Sequence, residues 1–222
     1  MASIAAIYRA LYACHGPQRW WPGETDFEIA IGAILTQNVS WANVEKAIRR
    51  LKEEGLLNPK ALHREPAESL AQLIRPTGYY NQKAKKLRNF LDWFSAYGYS
   101  FARLGGIDTG RLRKELLGIN GVGPETADSI LLYALKRRVF VVDAYTMRIF
   151  GRIGVLGGGE GYAETQSLFH RRFAGDVAEY NEYHALIVNH GKSVCKKKPL
   201  CAECCLARYC AFTASRRVFL SG

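Results

Sequence analysis

The sequence predicts an all-α protein, on the basis of three observations. Apolar residues recur every three or four positions in nearly every segment, which is the period of an α-helix. The single strand-like run, residues 139–142, has no second strand to pair with, so we expect an extended connector there. The length of 222 residues and the hydrophobic share of 48% are sufficient for one or two domains with buried cores.

Four apolar stripes define the clearest helices, and turn or capping residues mark their ends. Thr25 and Glu28 have the spacing of a capping box, so a helix should begin there. Asn81 should open the helix that carries the third stripe, and Gly191 should cap the helix that carries the fourth. Residues 157–161 predict a flexible loop. The stripes are Ile4, Ile7, Tyr8 and Leu11; Val44, Ala47, Ile48 and Leu51; Leu87, Phe90, Leu91 and Phe94; and Tyr183, Leu186, Ile187 and His190.

The charge of the chain predicts a polyanionic partner. Lysine and arginine number 31 against 20 acidic residues, which gives a net charge of +11. An imbalance of this size is typical of nucleic-acid-binding proteins, and the alternative is a basic surface that only confers solubility. No stretch approaches the ~18 uncharged apolar residues that a membrane span requires. Residues 1–20 place Arg9 inside their apolar run, which does not fit a signal peptide. We therefore expect a soluble, intracellular protein.

A helical hairpin is predicted around two closely spaced glycines. Short helices are expected over residues 112–117 and 126–135, and Gly121 and Gly123 lie in the turn between them. Glycine permits a positive φ and the close approach of another backbone, and Pro124 suits the first turn of the second helix. The exposed amides of that helix start, up to Thr126, form a potential phosphate site. The alternative is a helical hairpin with no ligand.

An aspartate follows the apolar connector after this hairpin. Asp143 opens a helix predicted over residues 144–150, and taken alone it is an ordinary helix N-cap. The order of hairpin, second helix, connector and Val142-Asp143 resembles the endonuclease III-like helix-hairpin-helix (HhH-GPD) DNA glycosylases. That resemblance implies that the hairpin binds a DNA phosphate, with a monovalent cation on its carbonyls. It also implies that Asp143 is the catalytic carboxylate.

Five of the six cysteines lie within 16 residues, and the sixth, Cys14, is far away. In a reducing compartment this crowding indicates a metal site and not disulfides. The spacing alone permits zinc or a [4Fe–4S] cluster. The resemblance implies a [4Fe–4S] cluster, although the first gap is one residue shorter than usual. Cys205 is then not a ligand. In an alternative ligand set, Cys205 replaces Cys204. The expected ligands are Cys195, Cys201, Cys204 and Cys210.

Three consecutive lysines lie within the first gap of the cysteine loop. Lys196, Lys197 and Lys198 form a compact cationic segment that we expect to contact DNA phosphates. The alternative is a solvated run of charge.

The hairpin helix has a glutamate where bifunctional members of the family carry a lysine. In the run Gly121 to Ala127, Glu125 occupies that position and belongs to the expected catalytic site. A carboxylate cannot form the Schiff base that leads to strand cleavage. The resemblance therefore implies base excision without strong lyase activity.

The N-terminal half is similar to the 3-methyladenine DNA glycosylase branch of this family. The similarity rests on residues 20–22, 32–38 and 76–85 and on the glutamate in the hairpin helix, although this branch lacks the cluster cysteines. It implies that Gln37 fills the gap left by a flipped nucleotide. The residues implied to line the base pocket are Trp20, Trp21, Pro22 and Trp41.

The resulting expectation is a cytoplasmic, nucleoid-associated monomer that acts on double-stranded DNA containing damaged bases. Residues 23–136 should form a six-helix barrel domain with the hairpin, and residues 1–22 with 137–222 should form a second domain with the cluster. The expected reaction is hydrolysis of the N-glycosidic bond of a flipped alkylated purine such as 3-methyladenine. The alternatives are excision of oxidised pyrimidines or mismatched bases, a non-catalytic protein that binds damaged DNA, and a zinc-stabilised structural DNA protein.

Overall fold

The computed structural model describes residues 3–214, and the outermost ends of the second predicted domain, at residues 1–2 and 215–222, lie outside them. The described residues contain helices and no strand, which confirms the all-α prediction. None of their helices is long and apolar enough to cross a membrane. The chain divides into two compact units, Pro22–Arg137 and Met1–Trp21 with Arg138–Gly222.

The unit Pro22–Arg137 contains eight α-helices in its described residues, with α2 at its centre. Nine of the ten residues of α2 are buried, and α2 packs on α3, α6 and α9. The central helix is therefore buried on nearly every face, and Glu28 is the one polar residue among its buried residues. The bounds are α2 Asp26–Leu35, α3 Trp41–Glu53, α4 Pro59–Arg64, α5 Ala67–Leu73, α6 Tyr80–Ser95, α7 Phe101–Gly105, α8 Thr109–Gly118 and α9 Pro124–Ser129.

The predicted capping box at the start of α2 is only half formed. Thr25 Oγ1 accepts a hydrogen bond from the Glu28 amide at 3.1 Å, as expected. The Glu28 carboxylate, however, accepts from the Glu24 amide at 3.0 Å and pairs with Lys52 at 3.1 Å. The prediction of a reciprocal box was wrong because a cation from α3 competes for the glutamate.

The start of α6 also differs from its prediction. The helix begins at Tyr80, after Tyr79 in a left-handed conformation, so Asn81 lies inside the first turn. Within α6, the buried Lys83 ammonium donates to the carbonyl oxygens of Leu35 and Thr77, at 2.9 and 2.7 Å. Burial lowers the pKa of Lys83 to about 8. This lysine closes the carboxyl end of the central helix α2.

The second unit is built from α1 Ile4–His15, α10 Ala144–Ile153, α11 Tyr162–Arg172 and α12 Val177–Ser193. Its helix α12 packs against both α1 and α10. The expected stop at Gly191 was wrong, because α12 continues to Ser193. A Cβ added at Gly191 would lie 2.4 Å from the ring of Tyr145 on α10. This glycine permits the close approach of two helices and does not end one.

The connector between the units is extended, as its sequence predicts. Val139 to Val142 are all buried. Within the second unit, the Phe140 ring stacks on Phe169 with a centroid distance of 3.8 Å. The Phe140 carbonyl also accepts from the Gln166 amide at 2.7 Å. Packing by α11 therefore fixes the segment that leads into Asp143.

Candidate active site and cysteine loop

The hairpin joins α8 to α9 through residues 119–123. Gly121 has φ +95, and a Cβ there would lie 2.3 Å from Cγ of Lys86, so the position requires glycine on two grounds. Gly123 has an extended conformation and open space where its Cβ would be. Pro124 occupies the first turn of α9, as predicted. The hairpin thus presents a helix start that another backbone can approach closely.

A partly buried ion pair joins the two hairpin helices. Arg113 on α8 donates two hydrogen bonds to the carboxylate of Asp128 on α9, at 2.7 and 3.0 Å. Asp128 is fully buried. Bidentate arginine–carboxylate pairs have a fixed geometry, so the pair sets the angle between the helices.

Gln37 contacts the hairpin in this structure. Its amide nitrogen donates to the Gly121 carbonyl at 3.2 Å and to Thr126 Oγ1 at 3.0 Å. Its amide oxygen accepts from the Lys86 ammonium. Thr126 itself is buried, so only its backbone amide remains suited to the predicted phosphate contact. The role of Gln37 in filling a vacated base position stays a prediction, and Lys86 is a neighbour that the sequence analysis missed.

The carbonyls of the hairpin turn already accept hydrogen bonds. The Ile119 carbonyl accepts from the Val122 amide at 3.0 Å, and the Asn120 carbonyl accepts from Asn89 at 3.0 Å. A monovalent cation here would therefore use their second lone pairs. The cation stays a prediction.

Glu125 is an exposed residue in the first turn of α9. Its side chain is a carboxylate at the position where bifunctional members of the family carry a lysine. A carboxylate in the first turn suits the positive end of the helix dipole.

A cavity of about 270 Å³ lies beside Trp41 in the unit Pro22–Arg137. Trp41 and Pro22, two of the four predicted pocket residues, both line it. The Trp41 indole N–H donates to Glu45 at 2.7 Å. The remaining lining residues are Glu28, Glu45, Ile48, Arg49 and Lys52.

Trp20 and Trp21 belong to the other unit and are half-buried there. Their rings meet edge to face, with centroids 5.6 Å apart. The ammonium of Lys192 lies 5.7 Å from the Trp20 ring centroid, which is within cation–π range. Lys192 is a second residue that the sequence analysis missed.

Asp143 is buried at the N-cap of α10. Its Oδ1 accepts from the Thr146 amide at 2.7 Å and from Thr146 Oγ1 at 2.8 Å. The N-cap role that was considered for this residue is therefore real, and it fixes one carboxylate oxygen. The second oxygen lies 3.7 Å from Nε2 of His184, beyond hydrogen-bond distance.

His184 on α12 lies beside this carboxylate. Burial lowers the pKa of His184, and this effect exceeds the opposing effect of Asp143. The imidazole is therefore neutral at physiological pH. A neutral imidazole does not neutralise a carboxylate charge on Asp143.

Two arginines of α10 brace the cysteine loop. Arg148 donates to the carbonyls of Cys195 and Gly191, both at 2.9 Å. Arg152 donates to the Cys195 sulfur at 3.2 Å and to the carbonyls of the next two residues at 2.6 and 3.0 Å. The sequence analysis missed both, although their spacing of four on the helix opened by Asp143 is a detectable signal. The exposed side chains of Lys196, Lys197 and Lys198 project from this braced backbone.

The predicted ligands Cys195, Cys201 and Cys210 lie near enough to Cys204 to influence its thiol. Burial raises the pKa of the Cys204 thiol, and the nearby Cys195, Cys210 and Cys201 raise it further. Mutually repelling thiolates are the donor set that a cationic iron–sulfur or zinc centre stabilises. His190 Nε2 lies 3.4 Å from the Cys204 sulfur. The residues present therefore fit a metal centre.

The thiol of Cys205 lies within 4.8 Å of ligand atoms of Cys14 and His15. Burial raises the pKa of its thiol to about 12, and a hydrogen bond shared with Cys14 adds to the shift. This geometry favours Cys204 over Cys205 as the third ligand.

A family model described as HhH-GPD superfamily base excision DNA repair protein matches residues 31–174. A candidate DNA repair glycosylase of Methanocaldococcus jannaschii is 50% identical over 210 residues, which are 93% of this chain and 95% of that protein. Endonuclease III of Sulfolobus acidocaldarius is 29% identical over 188 residues, with 84% of this chain and 82% of that protein covered.

Two solved structures are similar to the fold. The 3-methyladenine DNA glycosylase of H. pylori, bound to 1,N6-ethenoadenine, has a TM-score of 0.74 and 30% identity over 84% of this chain and 95% of that chain. An endonuclease III–DNA complex has a TM-score of 0.79 and 23% identity over 98% of this chain and 100% of that chain, and it supports the fold alone. With the hairpin, the capped aspartate and the cysteine loop in place, the chain belongs to the HhH-GPD superfamily of base excision DNA glycosylases.

Proposed function

We propose that this glycosylase is monofunctional and removes alkylated purines, such as 3-methyladenine, from double-stranded DNA. The observation that carries the monofunctional assignment is Glu125, an exposed carboxylate on the hairpin helix. A carboxylate cannot condense with the sugar aldehyde, so the reaction should end at a free base and an intact abasic strand.

The environment of Trp41 supports a cationic base as substrate. Its indole N–H donates to the Glu45 carboxylate, which increases the electron density of the ring. A cation over an indole face gains about 0.5–2 kcal/mol. Purines alkylated at N3 or N7 carry a positive charge and are already good leaving groups. A related H. pylori glycosylase named for 3-methyladenine supports the same substrate class.

Asp143 is the proposed catalytic carboxylate. Its Oδ1 is held by Thr146, so the charge is fixed in position before the substrate binds. The second oxygen would stabilise the positive charge that grows on the sugar and would orient the attacking water. The neutral His184 keeps that charge available.

The hairpin would hold the DNA backbone while the damaged nucleotide leaves the stack. Extrusion of a nucleotide costs a few kcal/mol, and the cost is smaller for weakly stacked lesions. The amides at the start of α9 and the open space at Gly123 suit a phosphate. Positioning of the duplex would therefore not depend on its sequence.

Cys195, Cys201, Cys204 and Cys210 are the proposed ligands of a [4Fe–4S] cluster. Iron–sulfur bonds would fix the loop that carries the three lysines, in addition to the braces from Arg148 and Arg152. Endonuclease III relatives at 29% and 30% identity support a cluster over zinc.

Excision from a panel of lesion duplexes tests the proposal. Duplexes with 3-methyladenine, 1,N6-ethenoadenine or an oxidised pyrimidine are incubated with the protein and then divided into samples with and without alkali. We expect strand breaks in the 3-methyladenine duplex only after alkali. Borohydride should trap no protein–DNA adduct, because no hairpin lysine can form an imine.

The Glu125→Gln variant is the matched control, since it also lacks an amine, and it should likewise leave alkali-labile sites. Efficient nicking by the unmodified protein with a trapped adduct would contradict the monofunctional assignment. Excision confined to the oxidised pyrimidine would contradict the substrate class.

The three lysines of the cysteine loop should contribute to DNA affinity through phosphates. If ~4–6 phosphates are neutralised, binding to undamaged duplex should have a log–log salt slope near −4 to −5. Replacement of Lys196, Lys197 and Lys198 by alanine should flatten that slope. Replacement of exposed Lys60 is a control that should leave it unchanged. An unaltered slope in the triple variant would indicate that these lysines are solvated and do not contact DNA phosphates.

A further inference from the structure

Two cysteines lie outside the set proposed for the cluster, and the fold brings them together. Cys14 lies in the last turn of α1, and Cys205 lies in the loop near the other end of the chain. One ligand atom from each, together with a ring nitrogen of His15, lie within 4.8 Å of one another. Three metal-binding side chains therefore converge from opposite ends of the sequence.

The chemistry of this cluster is that of a zinc site. Two thiolates and an imidazole are ligands that Zn²⁺ prefers, in tetrahedral geometry. With Zn–S bonds of about 2.3 Å, the ligand atoms of a tetrahedron lie about 3.5–3.8 Å apart. The separations in the structure are at most 4.8 Å, so a contraction of about 1 Å would complete the geometry.

The orientation of His15 is fixed by a second histidine. Its Nε2 lies 3.0 Å from Nδ1 of His190, which is fully buried. Histidines that bind metal usually donate their other ring nitrogen to an acceptor, which sets the tautomer and the ring plane. With Nε2 engaged in this way, Nδ1 is the nitrogen left for a metal.

We propose that Cys14, His15 and Cys205 bind a zinc ion at a site separate from the four-cysteine cluster. Cys14 is exposed, so the fourth position faces solvent and would hold water. Binding releases the two thiol protons and forms two Zn–S bonds and one Zn–N bond. The ion would connect α1 to the cysteine loop, and it depends on neither the glycosylase reaction nor the iron.

Metal analysis of the holoprotein tests this site. The protein is purified under reducing conditions, cleared of loosely bound metal with a chelator, and titrated with Zn²⁺ and separately with Co²⁺. We expect one zinc ion per chain in addition to the iron, and the visible bands of tetrahedral thiolate-bound Co²⁺. Cys14→Ser and Cys205→Ser should lose the zinc and the cobalt bands, whereas the iron content stays the same. Ala13→Ser, a change at the exposed position beside Cys14, is the matched control and should keep both.

Several results would overturn the site. The first is an unmodified protein that contains no zinc. The second is zinc that is retained in both cysteine variants, and the third is iron that is lost together with zinc in Cys205→Ser. A Cys14–Cys205 disulfide that persists under reductant, detected as a mass lower by two hydrogens, would also overturn it. Because iron is measured in the same samples, failure of the zinc site is distinguishable from failure of the proposed cluster.

Discussion

Asp143→Asn is expected to reduce single-turnover excision by about 10²-fold or more, with DNA affinity retained. Asparagine keeps the oxygen that accepts from the Thr146 amide, so the cap of α10 should survive. The carboxylate becomes a neutral amide, so its negative charge no longer stabilises the positive charge that grows on the sugar. Excision and binding are measured on the same alkylpurine duplex.

Asp176→Asn is the matched control for this variant. Asp176 caps α12 in the same way, with Oδ1 accepting from the Glu179 amide at 2.8 Å, but it is exposed. The same chemical change there should leave excision unchanged. Normal single-turnover rates in Asp143→Asn would contradict the assignment, and equal losses in both variants would indicate an effect on folding.

Cys204→Ser is expected to lose the iron and sulfide of the proposed cluster, whereas Cys205→Ser should keep them. Cys204 lies among the other three proposed ligands, and Cys205 faces Cys14. The full site should yield about four iron atoms per chain and a yellow-brown colour. Elemental analysis and the visible spectrum measure the difference between the variants.

Cys205→Ser is the control for Cys204→Ser, because both variants replace a cysteine by serine at adjacent positions of the same loop. Iron lost in Cys205→Ser but kept in Cys204→Ser would favour the alternative ligand set. One zinc ion and no iron in the unmodified protein would replace the cluster by a zinc centre.

Local patterns in the sequence predict the fold class and the helix that follows Asp143. The stripe of Leu87, Phe90, Leu91 and Phe94 is buried in α6, as its period requires. The N-cap at Asp143 and the proline at the start of α9 also follow from nearby residues. Such features are set within one or two turns of helix, so the sequence carries them directly.

Features that depend on distant residues were not predictable in the same way. Glu28 on α2 forms an ion pair with Lys52 on α3, and Gly191 on α12 packs closely against Tyr145 on α10. The contact of His184 with Asp143 joins residues about forty positions apart, so neither residue signals the other. Gln37 and Lys86 meet at the hairpin for the same reason. Local sequence preference allows several conformations and partners at each of these positions. Tertiary packing determines which of them forms.

The lysine that closes helix α2 also links proton release to folding. Its pKa of about 8 lies below the ordinary value of 10.5, so the unfolded chain binds more protons than the folded chain between these two values. Stability therefore rises with alkalinity through this window, which is the reverse of the behaviour of a lysine in an ion pair. The neutral amine keeps two N–H donors, enough for both the Leu35 and Thr77 carbonyls. Loss of the proton at Lys83 should thus relieve a buried charge without breaking the contacts around it.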